Sequence, residues 1–153
     1  MYADFLENGM LSVGIIGRSE LMFSSLELFE REGYEISFII TANEAPEYEK
    51  THKDFELFAN KIGVPFLFTG TLGDQSSLDF IRACKDSDVA ISVNYSGVIP
   101  QKVINLFPLG LLNAHGGDLP RYRGNACQSW AIINGEDKIG LCIHKMIGGE
   151  LDS

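Results

Sequence analysis

Along this chain, short apolar runs alternate with segments of helical spacing, and no other feature constrains the fold as tightly. Residues 11–16 read as a buried strand ended by Gly17, and Ser19 is placed to cap a helix through Arg31. Leu21, Leu28 and Phe29 supply that helix with an apolar stripe, and Gly33 stops it. Residues 35–40 read as a second strand and 43–49 as an acidic loop. A short helix over 53–62 carries Phe55, Leu57, Phe58, Ala59 and Ile62 and closes at Gly63. A third strand spans 65–68, and Asp74 or Ser76 caps a helix reaching Cys84. Residues 88–93 are apolar enough for a central strand. Pro100 suits the first turn of a helix holding Val103, Ile104 and Leu106. A fifth strand spans 109–113, a helix 125–133 ends at Gly135, and residues 139–146 form the last strand. Trp130, Ile132 and Ile133 are expected in the core face of that last helix. Strands alternating with helices predict an α/β, Rossmann-like three-layer domain with a mostly parallel twisted sheet. Ligands bind such sheets beyond the carboxyl ends of the strands. No repeat or linker divides the chain, so residues 11–153 read as one domain behind an extension of residues 1–10.

Several function classes are disfavoured. No apolar run approaches the roughly 20 residues that cross a membrane. Residues 1–10 hold Asp4 and Glu7 and no basic residue, unlike a secretory signal, so the cytoplasm is expected. Twelve Lys and Arg stand against 21 Asp and Glu, for a net charge of −9. That balance argues against nucleic acid as a general partner, because binding to phosphate draws on basic side chains. A local basic patch at Arg121 and Arg123 stays open, either for an acceptor phosphate or as a loop that braces a site. Cys84, Cys127 and Cys142 are odd in number and show no CxxC spacing, so free thiols are expected. Cys142 with His144 is one pair where zinc needs three or four ligands, and no metal is expected. Gly14 and Gly17 lack the GxGxxG spacing of a dinucleotide site, so Gly14 is expected to serve close strand–helix packing.

The chemistry concentrates where the fifth strand ends, in Asn113-Ala114-His115-Gly116-Gly117-Asp118-Leu119-Pro120-Arg121-Tyr122-Arg123-Gly124-Asn125. Asn113 and His115 lie two residues apart, so on an extended strand they share a face. An amide supplies fixed donors to an oxyanion, and an imidazole exchanges protons near neutrality. Asp152 follows the last strand and Gly148-Gly149. A carboxylate beside His115 would favour the imidazolium and could take a proton from a nucleophile. Amide, imidazole and carboxylate together suit acyl transfer to an amine, although residue types alone leave a structural role for each open.

Asn113-Ala114-His115, Leu119-Pro120-Arg121-Tyr122-Arg123-Gly124, Trp130-Ala131-Ile132-Ile133-Asn134-Gly135-Glu136, His144-Lys145-Met146 and Leu151-Asp152 stand in one register. In this the chain resembles the catalytic domain of 10-formyltetrahydrofolate-dependent formyltransferases, which include methionyl-tRNA formyltransferase and the sugar-nucleotide N-formyltransferases. The resemblance implies that an amine attacks the formyl carbon carried on N10 of the folate. It implies that Asn113 and His115 stabilise the oxyanion, and that His115 protonates the leaving nitrogen. Asp152 would raise the His115 pKa and help deprotonate the amine. The pterin would lie against Gly97, Val98 and Ile99 and against Gly148, Gly149, Glu150, Leu151 and Asp152, with Asn125 beside the folate. Two departures stand out. The family pattern has a serine in the loop after the histidine, where this chain has Gly117 followed by Asp118, which bears on the acceptor more than on the chemistry. The family also continues past the position of Ser153, so the catalytic domain is expected to be truncated at its C-terminus.

These features lead to an N-formyltransferase domain using 10-formyltetrahydrofolate, with a small amine such as an amino-sugar nucleotide as the expected acceptor. Alternatives are a methionyl-tRNA formyltransferase-like enzyme, a formyltetrahydrofolate hydrolase and a folate-binding module without turnover. A homodimer is compatible with each.

Overall fold

The computed structural model describes residues 10–148. Its strands are β1 (Ser12–Gly17), β2 (Glu35–Thr41), β3 (Phe66–Phe68), β4 (Val89–Val93), β5 (Leu111–His115) and β6 (Cys142–Lys145). They form one sheet in the order β3-β2-β1-β4-β5-β6. Every neighbouring pair is parallel except β5 with β6. The helices among the described residues are α1 (Glu20–Arg31), α2 (His52–Ile62), α3 (Gln75–Ala83), α4 (Gln101–Ile104) and α5 (Cys127–Ile133). The expected α/β class and mostly parallel sheet are what the chain forms.

Two buried clusters explain the three layers. Val13, Ile15, Ile39 and Val89 pack with Met22, Phe23 and Leu26 of α1 and Phe55 and Phe58 of α2. Ile16, Phe38, Ile40 and Leu111 pack with Leu78 and Ile81 of α3 and Val103 of α4 on the other face. A strand covered on both faces is largely apolar, hence the apolar stretches Val13–Ile16 in β1 and Phe38–Ile40 in β2. β1 carries an irregularity between Val13 and Gly14, so Gly14 pairs with Phe38. A Cβ at Gly14 would overlap the Phe38 ring. Gly14 therefore makes room for an aromatic ring of the neighbouring strand, not for a helix. Gly17 serves a second close approach, because a Cβ there would strike the Val93 carbonyl.

The helices depart from expectation in which face they bury. α1 turns Met22, Phe23 and Leu26 inward, while Leu21 and Leu28 are exposed. Phe23 decides the rotation by meeting Phe55 and Phe58 edge-on at 5.3 and 5.6 Å. In α2 the Thr51–Asp54 capping box and the left-handed Gly63 fix the ends, and Leu57 is left exposed. The Thr51 amide and hydroxyl hold the Asp54 carboxyl below its usual range. A lowered folded pKa contributes stability that is present above the unfolded value and lost as pH falls through the folded one. Amide protection factors at the start of α2 are accordingly expected to fall on acidification below pH 3.8, as hydrogen-exchange NMR would show. Pro100 caps α4 from outside, and that helix is one turn ending before Leu106.

The largest correction concerns α5. It buries Cys127 and Ala131, whereas Trp130, Ile132 and Ile133 are all exposed. The small side chains four residues apart form the close-docking face, and that forces the bulky ones outward. Arg18 ties the carboxyl ends of three strands together: its guanidinium donates to the Asn94 carbonyl at 2.8 Å and the Asn43 carbonyl at 2.7 Å. Among the described residues no helix is long and apolar enough to cross a membrane.

Candidate active site

β5 lies inside the sheet, and its carboxyl end opens on a cleft. Ser92, residues 94–99, 113–116 and 124–128, and Met146 line it. The strand period of two puts Leu111, Asn113 and His115 on one face, with Leu111 anchored in the core and the two polar groups nearest the cleft.

Each polar group is held by a partner. Asn113 pairs with His144 across the antiparallel β5–β6 register. The Asn113 Nδ2 donates to His144 Nε2 at 3.2 Å, which fixes the amide and leaves its second N–H for another acceptor. His115 is 6 % exposed, and its Nε2 lies 2.8 Å from the Tyr122 carbonyl and 3.4 Å from the Cys127 sulfur. The His115 and His144 rings meet edge to face with centroids 6.4 Å apart. Thus His144, weighed in the sequence as half of a metal pair, is the partner of Asn113. Only the antiparallel register exposes that role. Among the described residues no three His, Cys, Asp or Glu side chains are grouped to hold a metal ion.

The structure brings most of the expected site together. Asn113, His115, Gly97, Val98, Ile99 and Asn125 all line the cleft. Ile99 is also part of the core and so forms a rigid wall, whereas Val98 is exposed. Gly148 does not line it; its amide donates to the Gln101 side chain at 2.8 Å. Gly149, Glu150, Leu151 and Asp152 lie outside the described residues. Tyr95 was not anticipated. Its hydroxyl donates to the Thr69 carbonyl at 3.0 Å, and burial, with Asp74 nearby, pushes its pKa up to about 12. It therefore stays neutral at the cleft wall.

The basic loop braces the site. Arg121 pairs with Glu136, whose carboxylate also accepts from the Tyr122 hydroxyl at 2.9 Å. Asn134 donates to the same hydroxyl at 3.2 Å. Arg121 is thereby committed to the turn after α5, and Arg123 is exposed.

A mostly parallel α/β sheet thus carries a braced amide and imidazole at one strand end, facing an open cleft. Comparison with known proteins specifies the class. The Formyl transferase family model matches residues 34–153, and the chain belongs to that family. It is 31% identical over 134 residues to methionyl-tRNA formyltransferase of Acetivibrio thermocellus, covering 86% of this chain and 43% of that protein. It is 28% identical over 142 residues to the Syntrophus aciditrophicus enzyme of the same name, covering 91% and 45%. The chain thus spans less than half the length of these relatives. Among solved structures, glycinamide ribonucleotide transformylase 1 of Symbiobacterium toebii shares the fold with a TM-score of 0.73 at 18% identity, covering 95% of this chain and 70% of that one. Formyltetrahydrofolate deformylase of Burkholderia mallei does so with a TM-score of 0.67 at 21%, covering 94% and 51%.

Proposed function

We propose that this domain transfers a formyl group from 10-formyltetrahydrofolate to an amine. The carrying observation is the braced Asn113–His115 pair at the cleft mouth, in a chain of this family. The free N–H of Asn113 supports the oxyanion as the amine nitrogen bonds to the formyl carbon. His115 gives its proton to N10 as the carbon–N10 bond breaks, and tetrahydrofolate leaves. Asp152 takes the proton lost by the amine. Gly97, Val98 and Ile99 in the cleft wall suit a pterin, whose edge polar groups backbone amides can read.

The names of the sequence relatives favour the amine of a methionylated tRNA over the amino-sugar nucleotide that the acidic charge balance suggests. Hydrolysis, with water as the acceptor, is the second reading, and its support is the fold shared with a deformylase. Calorimetry with a stable folate analogue, run beside formyl-transfer assays on methionyl-tRNA and on an amino-sugar nucleotide, tests both. Transfer to the tRNA alone is the expected result, and absence of folate binding would sink every formyl-transfer reading.

Three substitutions probe the roles. Asn113→Ala is expected to lower kcat about 10²-fold, the usual cost of one oxyanion donor, with folate binding little changed. His144→Leu, which removes the acceptor on the amide, should cost less than Asn113→Ala in the same assay. Asp152→Asn is expected to slow turnover and shift the acidic limb of the pH–rate profile. An unchanged profile would remove Asp152 from control of His115.

A further inference from the structure

The formyl-transfer steps leave the carboxamide of Gln128 unused. Gln128 is the second residue of α5, and its exposed side chain lines the cleft with Asn113, His115 and Gly116. The start of that helix is fixed from two sides. Ala126 leads into it from the left-handed region, at a φ of 58°. The buried Cys127 thiol donates to the Gly124 carbonyl at 2.9 Å. Successive helical residues are turned by about 100°. With Cys127 and Ala131 buried, Gln128 is therefore turned aside, toward the end of β5.

The end of β5 is shaped to receive this side chain. A Cβ on Gly116 would overlap the Gln128 Nε2, whereas the Gln128 Oε1 would lie 3.9 Å from it. The amide nitrogen is thus the end packed against the strand, one residue past His115. Gly116 is not among the residues with positive φ. Its missing Cβ therefore serves space, and the group that occupies the space is the Gln128 amide. A carboxamide nitrogen carries two hydrogens and accepts none, so the group held at this place is a donor.

We propose that Gln128, seated against Gly116, determines specificity for the acceptor: its amide N–H binds an oxygen on the carbon next to the amine-bearing carbon. An aminoacyl ester has its carbonyl at that place, and an amino sugar has a hydroxyl there. A plain alkylamine has neither. A site built around such a hydrogen bond rejects the analogue that lacks the oxygen, because the donor is then left unpaired in a filled cleft. The inference deepens the formyl-transfer reading and rests on it for which substrate the amine is. It adds a selecting contact to a pair, Asn113 and His115, that handles only the reacting atoms.

The test reads binding to the protein holding a stable folate analogue, without any turnover. The probes are methionine methyl ester, glucosamine and 3-(methylthio)propylamine, the last being the methionyl probe without its carbonyl. In ¹⁵N NMR of the side-chain amides, the Gln128 signal is expected to move with an oxygen-bearing probe and to stand still with the plain amine. Gln128→Leu should weaken that oxygen-bearing probe roughly tenfold, the scale of one hydrogen bond, and leave the plain amine and the folate analogue within about twofold. Gly116→Ala, which keeps the carboxamide but fills its seat, should show the same pattern. The two substitutions together should cost no more than either alone, because they remove one contact. Of the ester and the sugar, the probe that loses its advantage in Gln128→Leu identifies the source of the oxygen. The proposal is overturned if the wild type binds none of the amines or all three alike. It is equally overturned if Gln128→Leu weakens all three to the same extent, or if the two substitutions add. Should Gly116→Ala fail to fold, Gln128→Leu decides alone. Absence of folate-analogue binding in the wild type would instead tell against formyl transfer itself.

Discussion

Replacing His115 by alanine is expected to lower single-turnover formyl transfer by about 10²–10⁴-fold, the range that one positioned acid or base contributes. The imidazole proposed to carry the proton sits at the end of β5, buried and bonded to the Tyr122 carbonyl. Its removal strands that carbonyl, which costs about 1–3 kcal/mol in a buried setting. The variant should therefore melt somewhat lower but keep its far-UV dichroism. Folate-analogue binding measured by calorimetry should persist, because the cleft wall at residues 97–99 is built from β4's loop and not from His115. A variant that keeps more than a tenth of the wild-type rate would take His115 out of the proton path.

The second large effect is structural. Phe38→Ala should destabilise the fold by about 3–5 kcal/mol, the usual cost of an aromatic deleted from a core. Phe38 is fully buried, covers Gly14, and meets the Phe80 and Phe107 rings at 6.3 and 6.1 Å. Gly14 offers no side chain to fill the gap, so collapse would be poor. For a chain of this size the melting temperature should fall by roughly 10 °C or more. Leu57→Ala, on the exposed side of α2, should move it within about 0.5 kcal/mol. If the two variants melted alike, the placement of the core against β1 and β2 would be wrong.

The order of elements was legible in the sequence because a doubly covered sheet writes largely apolar strands, as in β1, β2 and β4. Glycines and caps marked the ends for an equally local reason, as Asp74 and Gly63 show. Which face a helix buries was less legible. Leu21 and Leu28 share a stripe as regular as that of Met22 and Leu26, and only the rings of Phe55 and Phe58 decide between them. α5 misleads more strongly, because hydrophobicity favours Trp130 and Ile133 while shape favours Cys127 and Ala131. In the site, Asn113 and His115 were visible because two-residue spacing on a strand is a local rule. The partners His144, Tyr122 and Cys127 were not, since they meet the pair through strand register and loop closure, which no local pattern encodes.

The antiparallel pairing of β6 with β5 has a consequence for how this chain can change over generations. His144 meets Asn113 because the two are directly paired. A slip of one residue would present Ile143 or Lys145 there instead, and would turn the whole strand over. Insertions between His115 and Cys142 can be taken up by the intervening loops at small cost. Inside β6 a single inserted residue cannot. The lengths that surface loops tolerate and the parity that β6 enforces thus set separate rules for lineage divergence, so indels should gather in the connection and be absent from the four residues of the strand.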